Sequence, residues 1–225
     1  KDYKRVGEGD TGPNTGGMGA VSPVPFADHA FMRKVEDSVI RPTIKGIAQE
    51  GLDYCGFIFF GLMNVEGDPY VVEYNCRLGD PESEVIIPRI KNDLLDIFDA
   101  IAAEELQDIR MEFDSRAAAT VMLVSKGYPG DYEKNKPVTG IENISESDAL
   151  SMPKCIVFHA GTKESEGRIM TSGGRVLAVT SLNETLKGAL DNSYETIKKI
   201  HFDGMYYRKD IGFDVLKMEQ EKVIG

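Results

Sequence analysis

Residues 5–21 place the strongest constraint on the fold, because six of these seventeen residues are glycine. Glycine in a helix interior or a regular strand costs more conformational entropy than any other residue does. The sequence therefore predicts a long ordered loop here. Gly16, Gly17 and Gly19 would let backbone N–H groups approach a phosphate or a carboxylate, but a flexible surface loop has the same composition.

The residues after this loop predict one long helix. Asp28 is a suitable N-cap, and apolar residues follow it with helical spacing. We expect the helix to continue to about Ile47, with an interruption at Pro42 and an end at Gly51.

A β-hairpin is predicted next. Aromatic and β-branched residues over 54–65 indicate a buried strand, and the glycine-containing turn at 66–68 leads to a return strand over 69–75. Residues 83–105 then have a mostly helical pattern that Pro88 interrupts.

The pattern changes near residue 113, where we place a domain boundary. Strands are predicted at 117–124, 155–160, 167–171 and 175–180, and an amphipathic helix at 182–200. These elements indicate an α+β fold with two domains, 1–112 and 113–225.

The return strand carries the most informative side chains. Successive side chains of a strand point to opposite faces, so Glu73 and Asn75 share one face, and Arg77 joins them if the strand continues for two more residues. The carboxylate and amide oxygens suit Mg²⁺, and the guanidinium would bind a phosphate or carboxylate beside the metal. The alternative is a solvated ion pair between Glu73 and Arg77, which would contribute little to stability.

Composition excludes several functions. The net charge of −11 argues against a non-specific nucleic-acid binder and against docking on anionic membranes. The longest apolar stretch is too short to span a bilayer, and three widely spaced cysteines fit a reducing cytoplasm. Because the sequence begins at Lys1 without an initiator methionine, we expect it to be a piece of a longer chain.

Six segments are distinctive as sequence motifs: GDTGPNTGGMG at 9–19, EYNCRLGDPE at 73–82, GYPGDY at 127–132, FHAGTK at 158–163, GGRVL at 173–177 and RKDIG at 208–212. In this order they resemble the phosphoribosylamine–glycine ligase family of the ATP-grasp superfamily. The resemblance runs from Lys1 to about residue 213.

The resemblance implies a fold and an activity. The fold would be the second half of an ATP-grasp body, an antiparallel sheet with flanking helices, followed by a smaller sheet-rich C-terminal domain. Members of this family join glycine to 5-phosphoribosylamine with ATP, through glycyl phosphate, in purine biosynthesis. A cytoplasmic location, a monomeric full-length protein, ATP as co-substrate and Mg²⁺ or Mn²⁺ as cofactor are further implications.

The resemblance also implies roles for individual residues. Glu73 and Asn75 would hold the metal ion and, through it, the nucleotide. Arg77 would act in catalysis by stabilising charge on the transferring phosphoryl group. Residues implied to face glycine and phosphoribosylamine are Asp10, Asn14, Gly16, Gly17, Gly19, Asp80 and Pro81.

Two alternatives to an active ligase follow from the same motifs. Nothing in the sequence resembles the family's N-terminal domain or the first half of its ATP-grasp body, so the 225 residues alone are expected to fold without catalysing the reaction. Another ATP-grasp ligase, such as a carboxylase component, also uses Glu-x-Asn-x-Arg, but the segment at 12–17 argues against it.

The remaining candidates favour structural roles. We expect His159 to stabilise a turn, the phenylalanines of 57–60 to pack in the core and in the hairpin, and Cys76 to be packed away from the metal pair. Arg208 and Lys209 either reach a substrate phosphate or form an exposed basic pair.

Overall fold

The computed structural model describes residues 1–144 and 155–224, which fall into two compact units. Unit 1 consists of Lys1–Pro23, Asp80–Arg89 and Asp114–Gly225, and unit 2 of Val24–Gly79 and Ile90–Phe113. The units divide the chain differently from the predicted domains, because a strand from the first 23 residues joins the sheet of the C-terminal half.

The secondary structure of the described residues mixes strands and helices. The strands are β1 (Arg5–Gly7), β2 (Thr11–Asn14), β3 (Gly19–Ser22), β4 (Phe59–Val65), β5 (Asp68–Asn75), β6 (Ala117–Ser125), β7 (Cys155–His159), β8 (Thr162–Ser165), β9 (Arg168–Thr171), β10 (Arg175–Asn183) and β11 (Met205–Tyr206). The α-helices are α1 (His29–Val35), α2 (Arg41–Gln49), α3 (Ser83–Ile86), α4 (Leu94–Ala102), α5 (Leu186–Ile197) and α6 (Phe213–Ile224). Shorter turns are a π-helix at Glu36–Ile40 and 3₁₀ turns at Ile87–Arg89, Leu106–Asp108 and Ile141–Asn143.

A five-stranded antiparallel sheet is the centre of unit 1. Strand β10 lies between β6 and β7, while β3 and β11 share the other edge of β6. The register pairs Leu177 with Leu123 and with His159. The predicted strands at 117–124, 155–160, 167–171 and 175–180 are confirmed.

The core of unit 1 lies between this sheet and α5. All nine residues of β6 are buried, and α5 packs on β6 and β10 through its predicted inner side, which includes Leu186, Leu190 and Ile197. The buried hydroxyl of Thr180 donates to that of Thr120 at 2.8 Å, so these two polar groups satisfy each other inside the core.

The prediction of a long loop over 5–21 is wrong. Strands β1 and β2 form a hairpin, and β3 pairs with β6 about a hundred residues later in the chain. Several of the glycines lie in the turns between these strands, where positive φ angles of 65° at Gly9 and 123° at Gly17 are accessible to glycine. A high glycine content thus marked turns between short strands.

The helix of unit 2 begins as predicted. The Asp28 carboxylate accepts hydrogen bonds from the N–H groups of Ala30 and Phe31, and the helical segment ends at Gly51, with φ of 63°. The α-helical pattern is interrupted before Pro42, as predicted. A π turn at Glu36–Ile40 separates α1 from α2, and Pro42 lies in the first turn of α2, where its missing N–H costs little.

The hairpin of β4 and β5 also belongs to unit 2. Its turn and return strand lie where predicted, with Val65 paired to Asp68, but β4 begins at Phe59 rather than at residue 54. The prediction that this strand is buried is wrong: Met63 and Val65 are exposed, and so is Phe57 just before it. Helix α1 and the π turn contact β5, but most of the hairpin is open to solvent in the described part of unit 2.

Helices long and apolar enough to cross a membrane do not occur among the described residues.

Candidate active site

Strand β5 presents the predicted metal pair on one face, within unit 2. The side-chain amide of Asn75 donates to a carboxylate oxygen of Glu73 at 3.3 Å, so the two side chains are neighbours, as the alternation of the strand predicts. Glu73 is exposed and Asn75 half-buried, so both can reach a ligand from solvent.

The condition for Arg77 to share this face, that the strand continues for two more residues, is not met. Strand β5 ends at Asn75, and the backbone bends at Cys76 and Arg77. The guanidinium of Arg77 donates to the carbonyl of Leu78 at 2.9 Å, and no ion pair joins Arg77 to Glu73 in the described residues. The alternative interpretation of this motif as an ion pair is therefore not supported. Cys76, expected to be packed, is exposed because it lies in this bend.

The donors of Glu73 and Asn75 fit a magnesium ion. Mg²⁺ usually takes one or two protein oxygens and completes its six ligands with water and substrate phosphates. Within the described residues, no group of three or more His, Cys, Asp or Glu side chains could hold a metal, so a closed protein cage is not available there. Gly61 leaves room for the side chain of Glu73, since a Cβ on Gly61 would lie 2.8 Å from Cγ of Glu73.

Asp10, a predicted substrate residue, lies in the turn of the β1–β2 hairpin and is bound by a buried arginine. The guanidinium of Arg208 donates to the carboxylate of Asp10 at 2.7 Å and to both carboxylate oxygens of Asp210 at 2.8 and 2.9 Å. Burial alone would lower the pKa of Arg208, but hydrogen bonds with Asp210 and Asp10 raise this pKa above its usual value. Arg208 is thus not part of an exposed basic pair; it is buried, and only Lys209 is exposed.

Gly16, Gly17, Asp80 and Pro81 are brought together in unit 1. Gly17 packs so tightly on the ring of Pro81 that a Cβ would lie 2.3 Å from its Cδ. Nη1 of Arg175 donates to the carbonyls of Gly16 and Asp80 at 3.0 and 3.1 Å, and lies 3.0 Å from the Asp80 carboxylate. The sequence motifs placed Gly16, Gly17, Asp80 and Pro81 among the substrate residues, but they assigned no role to Arg175.

Acceptors within the protein bind the backbone N–H groups at 16–18 of the glycine loop. The N–H of Gly16 donates to the hydroxyl of Tyr128 at 3.0 Å, and that of Gly17 to the hydroxyl of Thr15 at 2.9 Å. The N–H of Met18 donates to the carbonyl of Tyr3 at 2.8 Å. Since the protein itself satisfies these donors, these hydrogen bonds hold the backbone of the loop in place.

Gly19 and Asn14 complete the set of predicted substrate residues, and His159 is the residue expected to stabilise a turn. Gly19 is buried opposite Val121 in the central sheet, so it packs β3 against β6 and faces no open space. Asn14 is exposed at the end of β2. His159 is exposed at the end of β7, and its Nδ1 lies 2.9 Å from the hydroxyl of Thr162.

A cleft of about 670 Å³ opens elsewhere in unit 1. Lys136 lies in it, 2.6 Å from the carboxylate of Glu133 and 3.3 Å from that of Asp203. Gly127, Asp131 and Tyr132 of the GYPGDY motif line this cleft, but none of the predicted metal, catalytic or substrate residues does, so its size does not identify the site.

Comparison with known proteins identifies both parts of the chain. Residues 1–83 match the family model for the phosphoribosylglycinamide synthetase ATP-grasp (A) domain, and residues 118–214 match that for the phosphoribosylglycinamide synthetase C domain. Together the two matches cover most of the chain.

Relatives of known identity agree with these matches. The chain is 46% identical, over 96% of its length, to phosphoribosylamine–glycine ligase of Chlorobaculum tepidum, and 43% identical, over 99%, to that of Vibrio parahaemolyticus. The crystal structure of phosphoribosylamine–glycine ligase from Thermotoga maritima superposes with a TM-score of 0.77 at 38% identity, over 93% of this chain and 50% of that one. The chain spans 50% and 51% of the lengths of the two sequence relatives, about half in each case. It therefore belongs to the phosphoribosylamine–glycine ligase family of ATP-grasp proteins.

Proposed function

We propose that this chain supplies the C-terminal half of a phosphoribosylamine–glycine ligase, which joins glycine to 5-phosphoribosylamine while ATP is split to ADP and phosphate. The observation that carries the proposal is the match of both parts of the chain, in order, to the A and C domains of one enzyme. In that organisation, residues 1–112 would be the second half of the ATP-grasp body and 113–225 the C-terminal domain.

The chemistry explains why ATP is needed. A carboxylate at neutral pH does not react with an amine, whereas an acyl phosphate does. Transfer of the γ-phosphoryl group to the glycine carboxylate gives glycyl phosphate and ADP, and attack by the amine of phosphoribosylamine then forms the amide and releases phosphate. Such transfers depend mainly on positioning and on charge stabilisation, which are what protein side chains can supply.

Glu73 and Asn75 hold the divalent ion in this proposal. Mg²⁺, or Mn²⁺ in its place, would supply positive charge to the phosphate oxygens of ATP. Two oxygen donors on one face of β5 support this role, because a short antiparallel strand fixes their spacing. The overall negative charge of the chain is then compatible with a nucleotide ligand.

Arg77 interacts with the transferring phosphoryl group. Only its Nη1 donates to the protein, to the carbonyl of Leu78, in the described residues, so most of its five donors remain available. An arginine there would stabilise charge on the phosphoryl oxygens more in the transition state than in the bound substrate.

Gly16, Gly17, Asp80 and Pro81 border the site of glycine and phosphoribosylamine. Their mutual packing in unit 1 supports this assignment. Asn14 remains a candidate for direct contact because it is exposed. Asp10 and Gly19, in contrast, would act indirectly, since Arg208 binds one of them and the central sheet buries the other.

The test is the substrate requirement of the full-length ligase. We expect release of ADP to need both glycine and phosphoribosylamine, with glycinamide ribonucleotide detected by mass spectrometry. The 225-residue chain assayed in parallel should release no ADP above background, as expected of a part that folds without catalysing the reaction. ADP release that required bicarbonate rather than glycine would favour a carboxylase component and contradict the proposal. A monomeric state and a cytoplasmic location of the full-length protein remain predictions from the family resemblance.

A further inference from the structure

Arg175 connects two segments that lie far from it in sequence. It is the first residue of β10, in the central sheet of unit 1, and its side chain is 21% exposed. It lies 159 residues from Gly16 and 95 residues from Asp80, yet its Nη1 reaches the carbonyls of both and the carboxylate of Asp80. A single guanidinium nitrogen therefore joins the glycine loop to the Asp80–Pro81 segment.

The close approach of the guanidinium depends on the glycine at position 16. A Cβ on Gly16 would lie 2.9 Å from Cζ of Arg175 and 3.0 Å from its Nη2, so only a glycine lets the guanidinium approach this closely. The planar fork of arginine directs its donors at fixed angles, whereas a lysine ammonium is a point charge on a flexible chain.

Tyr128 holds the same glycine from its other side. The hydroxyl of Tyr128 accepts a hydrogen bond from the N–H of Gly16 at 3.0 Å. Its ring packs against Gly174, since a Cβ on Gly174 would lie 2.3 Å from Cδ2 of Tyr128. Side chains from two other segments thus fix both the N–H and the carbonyl of Gly16.

We propose that Arg175 and Tyr128 are positioning residues, which fix the Gly16–Gly17 backbone and the Asp80 carboxylate in the shape that binds substrate. They act through these groups. The inference rests on the proposed function, in which Gly16, Gly17 and Asp80 border the site of glycine and phosphoribosylamine. It predicts that the two residues affect the KM of those substrates and leave the KM of ATP unchanged.

The first experiment measures KM values in the full-length ligase. Arg175→Met should raise the KM for glycine, for phosphoribosylamine or for both by about tenfold or more, since small displacements of binding groups have large effects. The KM for ATP should change by less than about twofold. Arg175→Lys should recover part of the loss, because it restores the charge beside Asp80 but not the fork.

Arg168→Met is the matched control, because Arg168 is an exposed arginine of β9 without a described hydrogen bond or ion pair. It should leave all three KM values at their wild-type levels. The inference would be overturned if Arg175→Met and Arg168→Met had equal effects, or if Arg175→Met raised the KM for ATP as much as the KM for the other substrates. If the wild-type ligase does not turn over glycine and phosphoribosylamine at all, the proposed function fails instead.

The second experiment does not depend on activity. Amide hydrogen exchange in the 225-residue chain should show the Gly16 N–H exchanging about tenfold faster or more in Tyr128→Phe than in wild type. Arg175→Met should also accelerate it, and the double variant should show less than the sum of the two effects because both side chains hold one residue. Unchanged exchange in both single variants would contradict the proposal.

Discussion

Strand β6 of unit 1 and strand β5 of unit 2 are both antiparallel and rich in apolar residues, but their environments differ. Every residue of β6 is buried, whereas Val72 and Tyr70 of β5 are 64% and 59% exposed. Neighbouring elements exclude water from β6, whereas most side chains of β5 are exposed to solvent. We infer that unit 1 provides most of the stability, and that β5 carries the oxygen donors where a ligand can reach them.

The largest effect is expected at the buried arginine of unit 1. Arg208→Met would leave the carboxylates of Asp10 and Asp210 close together without their cation, so the free energy of unfolding should fall by about 3 kcal/mol or more. Denaturant unfolding followed by circular dichroism measures this loss, with Arg168→Met as the exposed control. A loss of less than about 1 kcal/mol would mean that the pairs behave as surface ion pairs.

A matched pair of valine truncations compares the two strands directly. Val121 in β6 is fully buried, and Val121→Ala should lower the free energy of unfolding by about 2 kcal/mol, from lost burial and the cavity left behind. Val72→Ala in β5 should change it by less than about 0.5 kcal/mol, since this side chain is exposed. The same denaturant titration measures both, and equal losses would contradict the contrast between the strands.

The acid stability of unit 1 should depend on Asp114. Hydrogen bonds from Arg116 outweigh desolvation and lower the pKa of Asp114 from 3.8 to about 2. Because the folded pKa lies below the unfolded value, this carboxylate stabilises the protein above pH 3.8, and the contribution is lost as the pH falls to about 2. Asp114→Asn should therefore be less stable than wild type at pH 6, and the difference should shrink over that window. A difference independent of pH would argue against this assignment.

The smallest expected difference between the two units is in the reactivity of their thiols, and it involves no change in stability. Cys55 and Cys76 of unit 2 are exposed, whereas Cys155 lies half-buried in β7. A thiol reagent should modify Cys55 and Cys76 rapidly. It should modify Cys155 more slowly, by about tenfold or more. Cys155→Ser should leave the amplitude of the fast phase unchanged. If all three thiols reacted at the same rate, the sheet of unit 1 would not protect Cys155 in its edge strand β7.

Local sequence signals predicted local structure well. The N-cap at Asp28, the turn before Asp68 and the shared face of Glu73 and Asn75 depend on neighbours within a few residues, and all three are confirmed. Burial of β4 was predicted wrongly, because aromatic and β-branched residues indicate a strand but not whether another layer covers it.

Contacts between distant segments were not predictable from the residues themselves. Strand β3 exists because it pairs with β6, and the sequence of a glycine-rich segment does not identify that partner. Arg175 binds Asp80, 95 positions away, and Arg208 binds Asp10, 198 positions away, in addition to its neighbour Asp210. Only the family motifs that contain them, GGRVL and RKDIG, gave a signal that they matter, and neither motif by itself identifies the partner.

The metal pair is the central claim, and turnover of the full-length ligase with single substitutions in β5 tests it most directly. Glu73→Ala and Asn75→Ala should each lower glycine-dependent ADP release by about a hundredfold or more, because each removes a ligand of the ion on ATP. Glu50→Ala, which removes an exposed carboxylate elsewhere in unit 2, should retain wild-type turnover, and all three variants should unfold at the wild-type temperature. Full turnover by folded Glu73→Ala and Asn75→Ala would contradict the assignment of the metal site to this strand.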